Sequence, residues 1–232
     1  EPLLVNVIDP VTKDMWTAQL CKDSDGYFLK RSAQQGEKAE LFLSPGWIDL
    51  HAHVYHGVGH LGISPDSIGY NTGVHLIADA GSAGEATIAG FKKYVAPVFN
   101  TPIKAWLNIC STGLAQMPEA ADITFMDVAK TVKVANANRE FVCGIKIRAE
   151  QGTVGPLGIQ PVKLAAAAAR EAGMRLMVHI GLPMPCIADI LDIMAPGDVL
   201  SHIYHGKINS PWYPDGKPIP RSEERRVGKE CP

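Results

Sequence analysis

From Pro45 to about Pro220, strand-like apolar runs alternate with helical stretches, and this rhythm constrains the fold more than any other feature of the chain. The runs are WIDLHAHVY (47–55), GVHLIADA (73–80), IKAWLNIC (103–110), FVCGIKIR (141–148), RLMVHIG (175–181) and DVLSHIY (198–204). Three helix candidates lie between them. They are AGEATIAGFKKYVAPVF, DITFMDVAKTVKVANANR with Asp122 as N-cap, and PVKLAAAAAREAG with Pro161 in the first turn and Gly173 at the C-cap. Strand–helix alternation predicts a parallel sheet with helical crossovers. Near-continuous apolar strands fit burial on both faces. Reference points at His51, Asp79, Ile109, Lys146, His179 and His202 lie 28, 30, 37, 33 and 23 residues apart, as βα units require. The expected fold class is α/β, an incomplete (β/α)8 TIM-type barrel of about six βα units over residues 46–220. At this period an eighth strand falls near residue 261, roughly 30 residues past the end of the chain.

The flanks differ in texture. Residues 1–45 carry short apolar runs (LLVNVID, WTAQLC, GYFLK, AELFLS) broken by turn formers such as Asp23–Gly26. They read as a few antiparallel strands, too few for a stable domain alone. Residues 221–232, RSEERRVGKECP, hold seven charges in twelve positions and no apolar period. They read as a solvated tail. RSEERRVGKEC also resembles translated read-through of a sequencing adapter; on that resemblance the tail would be non-native and the cut would fall near Pro220.

Composition narrows the partners. With 46% hydrophobic and 20% charged residues, the chain is neither disordered nor fibrous. A net charge of −2 leaves no basic field for nucleic acid or an anionic membrane, so the expected partner is a small-molecule substrate. Five scattered cysteines without a C-x-x-C pair read as reduced thiols of a cytoplasmic protein, with Cys110 and Cys143 as inert core. No apolar run approaches the ~20 residues of a membrane span, and no signal peptide is expected.

The histidines carry the chemistry. His51 and His53 are two apart in one strand and therefore point to one side. A strand-end imidazole pair is a ready set of metal ligands, although H-x-H alone is a weak signal. Lys146, His179 and His202 each sit toward the C-terminal part of a different strand. In a parallel barrel those ends converge on the face where active sites are built.

Taken with PGWIDLHAHVY, GVHLIADAGSAG, FVCGIKIR, AAREAGMRLMVHIG and PGDVLSHIYHGK, the chain resembles the amidohydrolase superfamily, nearest to its amidohydrolase/deacetylase metallohydrolases and to dihydroorotase and D-aminoacylase. The resemblance covers most of residues 45–207. It implies that residues 1–45 begin a small flanking β-sandwich. It implies two divalent metal ions, with zinc favoured by imidazole. His51 and His53 would hold one and His179 and His202 the other. Lys146 would bridge them as a carbamate formed with carbon dioxide. A hydroxide between the metals would then cleave an acyl amide or ester, as in removing an acetyl group from a small N- or O-acetyl carboxylic acid. Cyclic amide hydrolysis of the dihydroorotase kind is the alternative, and so is a catalytically dead chain, because the family's strand-eight aspartate has no counterpart here.

Other signals are weaker. Arg148, two residues beyond Lys146, suits a substrate carboxylate. Tyr55 and His205 are further candidates for the pocket. His56, His60 and His75 have no evident partner. Gly57–Gly62 matches G-x-G-x-x-G but is followed by Pro65 rather than a helix, which speaks against a nucleotide-binding module.

Overall fold

The computed structural model describes residues 2–31 and 39–219, so the charged tail at 221–232 lies outside the described residues. The chain divides into two compact units, Glu1–Trp47 and Ile48–Pro232.

The first unit is a four-stranded sheet, ordered β3-β2-β1-β4. Its strands are β1 (Leu3–Ile8), β2 (Met15–Asp23), β3 (Gly26–Arg31) and β4 (Leu41–Leu43). The β2–β3 turn forms because the Asp23 carboxylate accepts from the Asp25 and Gly26 N–H groups at 2.9 and 3.1 Å. Val5, Val7 and Ala18 bury one face with Trp16, Leu20 and Leu43 against them. The strands are not all antiparallel as expected: β4 runs parallel to β1.

The second unit is a six-stranded sheet in sequence order, from β5 to β10. These strands are β5 (Trp47–Ala52), β6 (Val74–Gly84), β7 (Ile103–Asn108), β8 (Val142–Ala149), β9 (Arg175–Ile180) and β10 (Val199–Ser201). Every ladder from β6 to β10 is parallel. His51 of β5 hydrogen-bonds Ser201 of β10, so the two edges of the sheet curl toward each other into a nearly closed, incomplete barrel.

Strand periodicity sorts the two faces. Leu107, Ile145, Ile147, Leu176 and Val178 point outward and pack under the helices. Between them, Trp106 and Met177 point inward and close a small layer with Ala78, Ala80 and Val199. Gly144 makes that layer possible, because a Cβ there would lie 2.2 Å from the Trp106 ring. Lys146 follows on the same inward face, one step above this floor.

The helix Gln160–Glu171 forms as expected, with Pro161 in its first turn. Four of its six buried residues are alanine, so it lies close on the sheet. It ends where Gly173 N–H donates to Arg170 O and Met174 N–H to Ala169 O, a Schellman pair. Asp198 then ties the base together. Its carboxylate accepts from the Leu176 and Ala195 N–H groups at 2.9 and 2.8 Å and pairs with Arg170. This fastens the start of β9 to the turn before β10.

The other two helix expectations need correction. The stretch after β6 yields only a turn at Ile88–Gly90, a π-turn at Phe91–Val95 and a 3-10 turn at Ala96–Val98. Pro97 lacks the N–H that would continue a regular ladder. Asp122 caps only a 3-10 turn, while Asp127 accepts from Lys130 N–H and caps the helix Val128–Ala137. Cys110 is buried, but Cys143 is exposed rather than core. Among the described residues no helix is long and apolar enough to cross a membrane.

Candidate active site

Three strand ends bring four imidazoles together. His51 is next to last in β5 with His53 just beyond the strand, His179 lies near the end of β9, and His202 directly follows β10. Ring centroids are 5.4 Å apart for His51–His53, 4.5 Å for His51–His202 and 4.6 Å for His179–His202. Lys146 is fully buried on β8 between them, and its charge acts on all four rings. His202 reaches the cluster only with a left-handed backbone, φ 66°, which costs a non-glycine residue on the order of 1–2 kcal/mol.

The environment keeps the imidazoles neutral and loosens the proton of Lys146. Burial, then the Lys146 charge, holds His51 and His179 down to about 2 and His53 to about 4, and lowers His202 as well. Burial and then Arg148 bring Lys146 from its ordinary 10.5 to about 7, against the opposing pull of Asp79 and Glu119. Among the described residues Lys146 Nζ makes no hydrogen bond to oxygen; it meets the Met177 sulfur at 3.6 Å. Gly81 makes room for the lysine stem. Its φ is +87°, and a Cβ there would come within 2.5 Å of Lys146 Cγ.

As the side chains stand, no three His, Cys, Asp or Glu residues among those described are arranged to hold a metal ion. His51–His53 and His179–His202 meet edge to face, at 86° and 73°, and His51–His202 is tilted at 59°. The chemistry of the donor set nevertheless fits a divalent cation. The imidazoles have little proton competition near neutral pH, and His179 Nε2 is buried without a hydrogen-bond partner.

The remaining candidates separate. Arg148 lies beside His179 in the β8–β9 register. Its guanidinium donates to both Glu119 oxygens at 3.3 Å and lies 3.7 Å from Glu150. Glu119 is itself buried, and burial raises its carboxyl pKa against the Arg148 charge. His205 donates its N–H to His202 O at 3.4 Å, and its buried Nε2 has no partner. Tyr55 corrects the expectation of a pocket residue: its ring stacks on Phe91 in the core and its hydroxyl donates to Thr87 O at 3.1 Å. His56, His60 and His75 are exposed. Behind Gly57–Gly62 stands only the four-residue turn Pro65–Ile68, too short to cradle a dinucleotide.

Several polar residues around the cluster escape a reading of the sequence. Ser201 meets His51 Nδ1, and Ser82 meets His53 Nδ1 at 3.0 Å. Glu150 lies 3.8 Å from His179 Nε2 and takes Lys207 at 3.1 Å. Asp79 and Ser82 had a legible signal, being polar within the small-residue run ADAGSAG. Glu119 and Glu150 had none, because only the folded loops bring them to Arg148.

No family model matches the chain. It is 40% identical over 172 residues to a deacetylase of Brucella anthropi, a match covering 73% of this chain and 43% of that protein. A deacetylase of Agrobacterium fabrum also matches at 40%, covering 73% and 42%, and one of Enterococcus faecalis at 35%, covering 72% and 46%. The chain thus spans less than half the length of these relatives. Among solved structures, a dihydroorotase superposes with a TM-score of 0.77 at 32% identity, covering 90% of this chain and 59% of that one. An adenine deaminase gives 0.78 at 26%, covering 96% and 63%. With deacetylases at 40% identity, a dihydroorotase that shares its fold, and histidines and a buried lysine gathered at the ends of parallel strands, the chain belongs to the amidohydrolase superfamily.

Proposed function

We propose that the protein to which this chain belongs is a metal-dependent hydrolase that removes an acyl group, plausible substrates being small N- or O-acetylated carboxylic acids. The observation that carries this reading is the convergence of His51, His53, His179 and His202 around a fully buried Lys146 whose pKa is brought down to about 7. His51 and His53 would hold one divalent ion, His179 and His202 a second, with Lys146 between. Bound there, zinc or a similar cation would supply Lewis acidity and lower the pKa of water.

The chain's own residues do the rest. Lys146 Nζ, which burial makes easier to deprotonate, would add as the neutral amine to carbon dioxide and give up a proton, leaving an anionic carbamate with oxygen donors. The four imidazoles bring lone pairs without first shedding protons. Arg148, held by Glu119 and Glu150, keeps a fixed guanidinium edge two residues beyond Lys146, placed to take the carboxylate of an acylated acid. The deacetylase relatives favour acyl removal, and the dihydroorotase fold keeps cyclic amide hydrolysis as the second reading.

The test is a zinc titration of the chain in bicarbonate, followed by assay against N-acetyl and O-acetyl carboxylic acids and cyclic amides. Zinc binding that disappears in Lys146→Ala and His179→Ala supports the centre. Turnover of acetylated acids, by the chain or by a version extended to the relatives' length, supports the substrate class. Absence of zinc binding refutes the centre, and turnover confined to cyclic amides selects the second reading.

A further inference from the structure

His53 is reached by a chain of polar groups that ends on a fully buried carboxylate. Asp79, on β6, has no exposure to solvent. One of its oxygens accepts from the Val54 N–H and the other from the Ser82 N–H, each at 2.7 Å. Val54 directly follows His53, so the carboxylate staples the end of β5 to β6 at the histidine. The Ser82 hydroxyl also acts on this carboxylate, holding its pKa down. Ser82 Oγ, also fully buried, lies 3.0 Å from His53 Nδ1.

Donor and acceptor rules give this chain a direction. An ionised carboxylate only accepts. The Ser82 hydroxyl therefore donates to Asp79, and its remaining lone pairs accept from His53 Nδ1–H. A neutral imidazole carries one N–H, so Nε2 is then bare. Burial, the largest influence, raises the Asp79 carboxyl pKa, against the pull of the two backbone N–H groups, the hydroxyl and the Lys146 charge, and the N–H donors on both oxygens favour the accepting, ionised form.

We infer that Asp79 and Ser82 are positioning residues, forming a carboxylate–serine–imidazole relay that fixes His53 as its Nδ1–H tautomer and presents Nε2 to the centre shared with His51, His179, His202 and Lys146. Groups behind a ligating histidine that fix its tautomer and ring orientation typically govern metal affinity by about 10- to 100-fold. His51 also meets a serine through Nδ1, but Ser201 is only half-buried. The relay therefore singles out His53. The metal-affinity consequence rests on the proposed metal centre, whereas the tautomer assignment does not.

The experiment uses the chain labelled with 15N-histidine, with His53 assigned through His53→Gln. Long-range 1H–15N correlation of the metal-free chain reads the tautomer, and competition between zinc and a chromophoric chelator reads affinity. The wild type is expected to show His53 as a single Nδ1–H species. Ser82→Ala is expected to convert it to a mixture or to Nε2–H and to weaken zinc by about 10- to 100-fold, with the far-UV spectrum and thermal midpoint of the metal-free chain nearly unchanged. Asp79→Asn, which cannot accept on both sides, should move the tautomer in the same direction. An Nε2–H tautomer in the wild type overturns the relay, as does a Ser82→Ala chain with an unchanged His53 signal. A wild type that binds no zinc refutes the metal centre instead and leaves the tautomer spectra to decide the relay.

Discussion

Lys146→Met replaces a buried amine with an unbranched apolar chain of similar length and should stabilise the metal-free protein. The lysine sits at zero exposure against the Met177 sulfur, so a thioether fits the same slot. Its pKa falls from 10.5 to about 7 on folding, chiefly through burial. Each tenfold change in proton affinity is worth about 1.4 kcal/mol, so the charged form costs the fold on the order of 5 kcal/mol. The sign follows from linkage. Between pH 7 and 10.5 the unfolded chain holds a proton on Lys146 that the folded chain lacks, so wild-type stability rises with pH across this window. The handicap is fully present below pH 7 and gone above 10.5. Urea denaturation of both proteins, with chelator and without carbon dioxide, should show Lys146→Met several kcal/mol more stable at pH 7. That advantage should shrink toward zero near pH 10.5, and zinc binding should be lost throughout. An advantage that is absent at pH 7, or that does not shrink with rising pH, refutes the view that desolvation governs this lysine.

Four further outcomes are expected. Glu119→Gln strips Arg148 of its buried counter-charge and should cost about 3 kcal/mol in chemical denaturation; a loss under 0.5 kcal/mol would mean that Glu150 alone suffices. His202→Gly relieves a left-handed backbone and should raise stability by about 1 kcal/mol while weakening zinc in the chelator assay. Gly81→Ala, with its Cβ driven toward Lys146 Cγ, should cost about 2–4 kcal/mol from strain and overpacking, read by urea midpoint. Removal of metal by a strong chelator should lower the thermal midpoint of zinc-loaded chain and leave Lys146→Met unmoved.

The barrel was legible because each βα unit announces itself locally. The apolar runs sit where β5 to β10 form, differing mainly at their ends, and H-x-H, Lys146, His179 and His202 fall on one face by strand alternation. What stayed hidden depends on contacts distant in sequence. The stretch after β6 looks helical by composition, yet Pro97 and the packing of Phe91 break it into three kinds of turn. Tyr55 shares the strand-end logic of His53, but the core opposite it holds Phe91, and stacking there wins. The helix expected from Asp122 opens later, at Asp127, because Ile123–Phe125 forms a separate 3-10 turn. Ser201 acquires meaning only once β10 places it against His51.

Asp198 gives the far end of the molecule a say in the chemistry. β10 is three residues long, with the Asp198 knot immediately before it and His202 immediately after. Four residues of extended chain span about 13 Å, with little of their own to absorb a shift. Loosening the knot would therefore swing His202 like the tip of a short rod, and a lesion hidden at the barrel's foot would be felt first as a blunted grip at its mouth.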